Sequence, residues 1–234
     1  MREREEKYIR LYKTQDSIID LVVKENLRFY LTGGTALQRF YFDSYRYSDD
    51  LDFFLMDNGT SNANSKEFQK FIDILDENNI EYTCNVSTPY FKQILLKEDC
   101  LKIDLVNDFV RTENGLHLDS VQNIFVNKLE TSLSRTEPRD LFDIYTILSN
   151  HQIDFDKSFE LLRKKTNLES NMIIDNLVNI NIHTINSDEI QVKSKRVLEE
   201  VVCNFYSVVA KLQNFTLQNE KDESIDSIKI RKRR

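Results

Sequence analysis

The feature that most constrains the fold of this chain is a glycine pair set between an apolar run and two closely spaced aspartates. Gly33 and Gly34 follow the apolar residues 27–31, and the residues after them have the character of a helix start. Asp50 and Asp52 come next, in a segment where polar and apolar residues alternate. Such alternation indicates a β-strand. The order strand, Gly-Gly, helix, strand therefore predicts a sheet that brings the glycines close to the aspartates.

The two aspartates form a D-x-D pattern on the second strand. Side chains two residues apart on a strand point to the same side, with Cα atoms about 6.5–7 Å apart, so Asp50 and Asp52 can act together. Two carboxylates in this arrangement can bridge divalent ions, as a two-metal phosphoryl-transfer site requires. A solvated turn is the alternative interpretation of an aspartate-rich stretch.

The glycine pair can serve a phosphate group. Glycine lets the backbone approach an anion closely, and N–H groups at the start of a helix favour negative charge. A Gly-Gly pair is also common in loops with positive φ. The glycine pair therefore indicates a phosphate site only in combination with the aspartates that follow it.

A third carboxylate, Asp104, interrupts an apolar segment further along the chain. Residues 91–96 and 100–106 are mainly apolar and lie on either side of a polar turn at 97–99, and this pattern predicts a β-hairpin. An aspartate within such a strand either faces solvent at an edge or belongs to a polar site. Both interpretations remain open from the residues alone.

Pro138 divides the segment 124–145 into two predicted helices, because proline suits the first turn of a helix and ends a preceding one. Asp140 and Asp143 follow the proline, where acidic residues favour the helix dipole. Lys128 precedes it and has the properties of an ordinary surface lysine. A structural role is therefore open for all three.

The sequences of two segments, one with the glycine pair and one with the two aspartates, resemble those of a known family. Residues 33–37 spell GGTAL, and residues 46–53 fit R-x-S-x-D-L-D-F. Together they resemble the AbiEii/AbiGii toxins, which belong to the nucleotidyltransferase superfamily of DNA polymerase β. The resemblance implies an α+β, polymerase β-like nucleotidyltransferase fold, with a mixed β-sheet flanked by helices and a helical C-terminal region.

The resemblance also assigns roles to residues of this chain. It implies three metal ligands, namely Asp50, Asp52 and Asp104. It implies six nucleotide-binding residues, namely Gly33, Gly34, Thr35, Arg46, Ser48 and Lys128. It implies six catalytic residues, namely Asp50, Asp52, Asp104, Lys128, Asp140 and Asp143. Two Mg²⁺ ions, or Mn²⁺ in their place, are the implied cofactor.

The function that the resemblance implies is transfer of NMP from an NTP to an RNA acceptor, such as a tRNA 3′ end, with release of pyrophosphate. The protein would be the toxin of a toxin–antitoxin system active in phage defence, with a cognate antitoxin as partner. Transfer to a protein or small-molecule hydroxyl is an alternative. A non-catalytic nucleotide-binding regulatory protein is an alternative of another class.

Length and charge set the remaining expectations. The 234 residues suffice for a catalytic core over 1–115, a helical region over 116–218 that completes the site, and a charged, disordered tail over 219–234. The net charge of −7 argues against a protein coated in nucleic acid, although a local basic groove is compatible with it. No apolar run is long enough to span a membrane, and the charged N-terminus does not resemble a signal peptide, so we expect a cytoplasmic protein.

Overall fold

The computed structural model describes residues 2–42, 45–56, 61–107, 117–135, 137–166, 170–184 and 190–231. It divides into two compact units, residues 1–124 and 125–234, and the division falls inside one helix. The sequence placed this division slightly earlier, at residue 115.

The first unit contains a sheet and the helices around it. Its strands are β1 Phe29–Thr32, β2 Leu51–Leu55, β3 Tyr82–Ser87, β4 Phe91–Leu96 and β5 Lys102–Val106. Its helices are α1 Arg2–Lys24, the short α2 Gly33–Ala36, a π-helical turn Leu37–Tyr41, α3 Ser61–Glu77 and a 3₁₀ turn Glu98–Cys100.

The remaining elements are helical. Helix α4 Val121–Ser134 contains the division between the units and is followed by α5 Pro138–Asn150, α6 Phe155–Lys165, α7 Ser170–Asn179, a 3₁₀ turn Ile182–Thr184 and α8 Lys195–Arg231. The predicted break at Pro138 is therefore confirmed, with proline at the start of α5.

The sheet is mixed, with strand order β1-β2-β5-β4-β3. Strands β2 and β5 run parallel at its centre, whereas β1 pairs antiparallel with β2 and β4 pairs antiparallel with β5. The predicted hairpin over residues 91–106 is β4 and β5. The parallel pair matters for function because it brings two distant sequence segments side by side.

One face of the sheet forms the core of the first unit. Along β2, Leu51, Phe53 and Leu55 are buried, while the intervening residues are only partly covered. Phe29 on β1 packs against Phe68 of α3, with ring centroids 6.1 Å apart. The apolar positions therefore fix which face of β2 meets the core, and Asp52 must lie on the other.

Asparagines end two helices of this unit. Asn26 and Asn79 adopt positive φ, at 49° and 55°, two residues after the ends of α1 and α3. Asparagine tolerates this conformation better than most residues, so it suits a helix C-terminus. Leu27 N then donates to the Val22 carbonyl at 3.0 Å, which turns the chain out of α1 toward β1.

The second unit is built around α8. Phe205, Val209 and Leu212 are completely buried along it, and Phe142 of α5 is also buried within this unit. The helix continues through Arg231, where the sequence predicted a disordered tail from residue 219. Helix propagation costs little once a helix has formed, and no glycine or proline interrupts this segment. Residues 232–234 lie outside the described residues.

Candidate active site

Two of the predicted carboxylates face each other across the parallel strands. Asp52 of β2 and Asp104 of β5 are register partners, and both lie on the face opposite the apolar core. Asp104 Oδ1 also accepts a hydrogen bond from Gln93 Nε2 of β4 at 3.0 Å. The pairing of β2 with β5 therefore brings together carboxylates that are far apart in the sequence.

Asp50 joins this group from the segment that leads into β2. The predicted strand over 46–53 is wrong in its first half, because β2 begins at Leu51 and residues 47–50 form neither helix nor strand. The side chain of Asp50 nevertheless reaches the same face, since Lys102 Nζ contacts both Asp50 and Asp104. We call the side chains of Asp50, Asp52 and Asp104 the carboxylate face.

The shared cation is Lys102, which the sequence analysis did not identify. Its Nζ lies 3.0 Å from Asp50 Oδ2 and 3.4 Å from Asp104 Oδ2. Burial lowers the pKa of Lys102, but the nearby charges of Asp50, Asp104 and Asp52 outweigh burial and leave that pKa raised. Lys102 precedes Asp104 by two residues, a spacing that puts both on one face of a strand.

The carboxylate face lies directly against the glycine pair. Gly33 has φ of +71°, and a Cβ built on it would overlap Asp52 Oδ2. Glycine is required here both for the backbone conformation and for the space. The backbone at Gly33 thus approaches the D-x-D carboxylate as closely as the sequence predicted.

Gly34 is pressed against Arg46 in a similar way. A Cβ on Gly34 would overlap Arg46 Nη2 and lie 3.2 Å from Ser48 Oγ. Arg46 is only 2% exposed and donates from Nη1 to the Tyr47 carbonyl at 2.7 Å. The guanidinium group therefore supports the glycine pair from inside the protein.

Thr35 and Ser48 complete this support. Thr35 Oγ1 lies 2.8 Å from Ser48 Oγ and donates to the Asp50 carbonyl. The Ser48 carbonyl accepts from Nε2 of the fully buried Gln15 of α1 at 3.1 Å. The structure gives Arg46, Ser48 and Thr35 a role in holding the loop, and direct contact with a nucleotide stays a prediction for them.

A buried carboxylate also anchors the end of β1, and the sequence analysis missed it. Asp119 is 2% exposed and accepts from Thr32 Oγ1 at 2.6 Å and from Asn123 Nδ2 at 2.9 and 3.0 Å. Thr32 is the register partner of Asp52 and immediately precedes Gly33. The Asp-Ser start of α4 was the only sequence signal for it.

The other predicted catalytic residues contact one another within the second unit. Lys128 Nζ of α4 lies 2.6 Å from Asp140 Oδ1 and 2.8 Å from Asp143 Oδ2 of α5. The side chains of Asp140 and Asp143 are 3% and 0% exposed, and Arg135 Nε lies 3.3 Å from Asp140 Oδ2. The sequence expected these three residues to act together, and they do contact one another. Their catalytic role remains a prediction.

The carboxylate face has the right donors for a hard divalent cation. Its three side chains offer only oxygen ligands, which Mg²⁺ and Mn²⁺ prefer. In the part of the chain that the structure describes, no three histidine, cysteine or acidic side chains already converge in metal-binding geometry. The ammonium of Lys102 is instead the cation on which Asp50 and Asp104 converge.

The segment that contains the glycine pair and the carboxylate face matches a known protein family. Residues 21–104 match the model of a family described as nucleotidyl transferase AbiEii toxin, type IV TA system. The predicted family resemblance is confirmed. The matched residues include the glycine pair and all three members of the carboxylate face. The family match also confirms the predicted enzyme class, a nucleotidyltransferase. Comparison with curated proteins gives no match.

Solved structures show the same fold. JHP933 from Helicobacter pylori is similar with a TM-score of 0.63 and 16% identity, over 94% of this chain and 98% of that one. A proposed nucleotidyltransferase from H. pylori gives a TM-score of 0.51 and 17% identity, over 88% and 98%. The predicted α+β nucleotidyltransferase fold with a mixed sheet is confirmed.

None of the described helices combines the length and the apolar character needed to cross a bilayer.

Proposed function

We propose that this protein is a Mg²⁺-dependent nucleotidyltransferase toxin that transfers NMP from an NTP to an RNA acceptor, with a tRNA 3′ end as the preferred class. A separately encoded antitoxin would oppose it, and phage defence in the cytoplasm is the setting that fits such a pair. The AbiEii family match supports the nucleotidyl-transfer chemistry and the toxin–antitoxin context.

One observation carries the proposal. Asp52 and Asp104 are register partners on the face of the central strands opposite the core, and the Cβ-free backbone of Gly33 lies against Asp52. A metal-bound triphosphate needs carboxylate oxygens for the cation and a close backbone approach for the phosphates. The first unit holds both kinds of group close together, and this supports the proposal.

In the proposed reaction an acceptor hydroxyl attacks the α-phosphorus of the NTP. The new bond joins the acceptor oxygen to the α-phosphorus, the bond between that phosphorus and the bridging oxygen to the β-phosphorus breaks, and pyrophosphate leaves. Asp50, Asp52 and Asp104 would hold the divalent cations, Asp104 would also accept the hydroxyl proton, and the Gly33–Gly34 backbone would orient the triphosphate. Bound Mg²⁺ would supply charge neutralisation for the phosphates.

The test is incorporation of label from each α-labelled NTP into total RNA in the presence of Mg²⁺ or Mn²⁺. We expect the wild type to label RNA of tRNA size, and we expect Asp52→Asn and Asp104→Asn each to lose that label. Asp73→Asn is the matched control, because Asp73 is an exposed carboxylate on α3 that accepts from Gln69.

Other outcomes would redirect or reject the proposal. Label in protein but not in RNA would overturn the RNA acceptor and support transfer to a protein hydroxyl. Binding of NTP without any release of pyrophosphate, across total RNA and protein acceptors, would support a non-catalytic nucleotide-binding protein. Equal labelling by wild type and Asp52→Asn would reject the carboxylate face as the catalytic centre.

A further inference from the structure

Lys102 places a positive charge of the chain itself inside the carboxylate face. Its Nζ lies 3.0 Å from Asp50 Oδ2 and 3.4 Å from Asp104 Oδ2, and its side chain is 35% exposed. The contact is built into the sheet, because Lys102 and Asp104 occupy successive outward positions of β5 and β5 pairs with β2. The ammonium therefore takes the position toward which two proposed metal ligands point.

Two cations cannot share this position. Like charges a few ångströms apart repel strongly in a partly buried environment, and both would depend on the same carboxylate oxygens. An ammonium on a flexible four-carbon chain can withdraw toward solvent without movement of the backbone. The partial exposure of Lys102 leaves such a path open.

We propose that Lys102 is the resident counter-cation of the carboxylate face, which a divalent metal must displace in order to bind. The inference rests on the proposed function, since it takes Asp50 and Asp104 as metal ligands. Lys102 would neutralise the three carboxylates of the metal-free protein and would set the metal concentration at which the site loads. It is a positioning residue for the reaction and does not itself take part in phosphoryl transfer.

The experiment measures Mn²⁺ binding to the full chain by calorimetry without nucleotide, for the wild type, Lys102→Met and Lys102→Arg. Removal of the two competing ion pairs that Lys102 makes predicts that Lys102→Met binds Mn²⁺ about fivefold to tenfold more tightly than the wild type. Lys102→Arg keeps the competing charge and should bind like the wild type. Thermal unfolding adds a second readout: Lys102→Met should melt below the wild type in EDTA, and Mn²⁺ should raise its Tm by more.

Lys97→Met is the matched control, because Lys97 belongs to the same hairpin but pairs with the exposed Glu81 at 2.8 Å. It removes one positive charge without changing the carboxylate face, so its Mn²⁺ affinity should equal that of the wild type. An equal gain in Lys97→Met would show that net charge alone controls binding and would overturn the proposal. Lys102→Gln repeats the test should Lys102→Met fail to fold.

The result that overturns the inference is an affinity of Lys102→Met within about twofold of the wild type, or weaker. If the wild type still transfers nucleotide in that case, only the counter-cation role fails. If no variant binds a divalent cation and the wild type transfers no nucleotide, both the counter-cation role of Lys102 and the proposed function fail.

Discussion

Gly33 is the residue on which the geometry of the site depends most directly. Its φ of +71° is unfavourable for any residue with a side chain, and its missing Cβ makes room for Asp52 Oδ2. We expect Gly33→Ala to lower the free energy of unfolding by about 1–2 kcal/mol through the left-handed backbone alone. It should also displace Asp52 and so weaken Mn²⁺ binding. Urea denaturation and metal titration of the same variant measure the two effects.

Asn79→Ala is the control that separates these effects. Asn79 has a similar φ of 55° but lies in the exposed turn after α3. It should therefore lose stability to a similar degree and keep its Mn²⁺ affinity. Unchanged metal binding in Gly33→Ala would contradict the close approach of the loop to Asp52.

At the scale of elements, Lys128 joins α4 to α5 through two buried carboxylates. Lys128→Met leaves Asp140 and Asp143 buried without this cation, and breaking a buried ion pair from one side costs about 3–5 kcal/mol. We expect a loss of that order in the free energy of unfolding, measured by chemical denaturation. Lys164→Met, which removes an exposed pair with Glu160 on α6, should leave the stability unchanged.

A triple variant separates the structural role of this cluster from its predicted catalytic role. Replacing Lys128, Asp140 and Asp143 by Met, Asn and Asn removes the buried charges together and should recover part of the stability lost in Lys128→Met. If the folded triple variant labels RNA at the wild-type rate, the predicted catalytic role of these three residues is wrong. A folded and inactive triple variant would support it.

The elements that the sequence predicted share a local signal. A polar turn between two mainly apolar segments identified β4 and β5, and proline identified the start of α5, because each pattern is complete within a few residues. The strand predicted over 46–53 failed at its start, since Arg46 and Ser48 are polar for a different reason: they are buried beneath the glycine pair. Only the tertiary structure distinguishes such buried polar residues from the outward positions of a strand.

The same limit applies to the candidate site. Asp50 and Asp52 were identifiable from their spacing. Asp104 was only a candidate from its position in an apolar strand, and the family resemblance assigned it to the site. Lys102 has equally simple spacing, but its role depends on the parallel pairing of β2 with β5, which no local pattern contains. Ion pairs between neighbouring strands therefore cannot be predicted from the sequence when the strand order is unknown.

At the scale of the whole molecule, metal and nucleotide should stabilise the folded chain by mass action. A ligand at about 100 times its Kd adds about 2.7 kcal/mol to the free energy of unfolding when it binds only the folded state. We expect this gain for the wild type with Mn²⁺ and a non-hydrolysable NTP, and its loss on addition of EDTA. Thermal and chemical unfolding provide the measurement.

Asp104→Asn should lose most of that gain, whereas Asp73→Asn should retain it in full. The comparison is direct because each substitution removes one carboxylate charge from the first unit. Equal stabilisation of both variants would show that the ligands bind elsewhere on the molecule.

Anomalous diffraction from crystals grown with Mn²⁺ and a non-hydrolysable NTP tests directly whether the carboxylate face binds the metal and the nucleotide. We expect a Mn²⁺ peak bonded to carboxylate oxygens of Asp52 and Asp104, the triphosphate against the backbone of Gly33 and Gly34, and Lys102 Nζ withdrawn from its present position. A triphosphate bound away from the glycine pair, or Mn²⁺ without a carboxylate ligand from this face, would contradict the assignment of this surface as a nucleotidyl-transfer site.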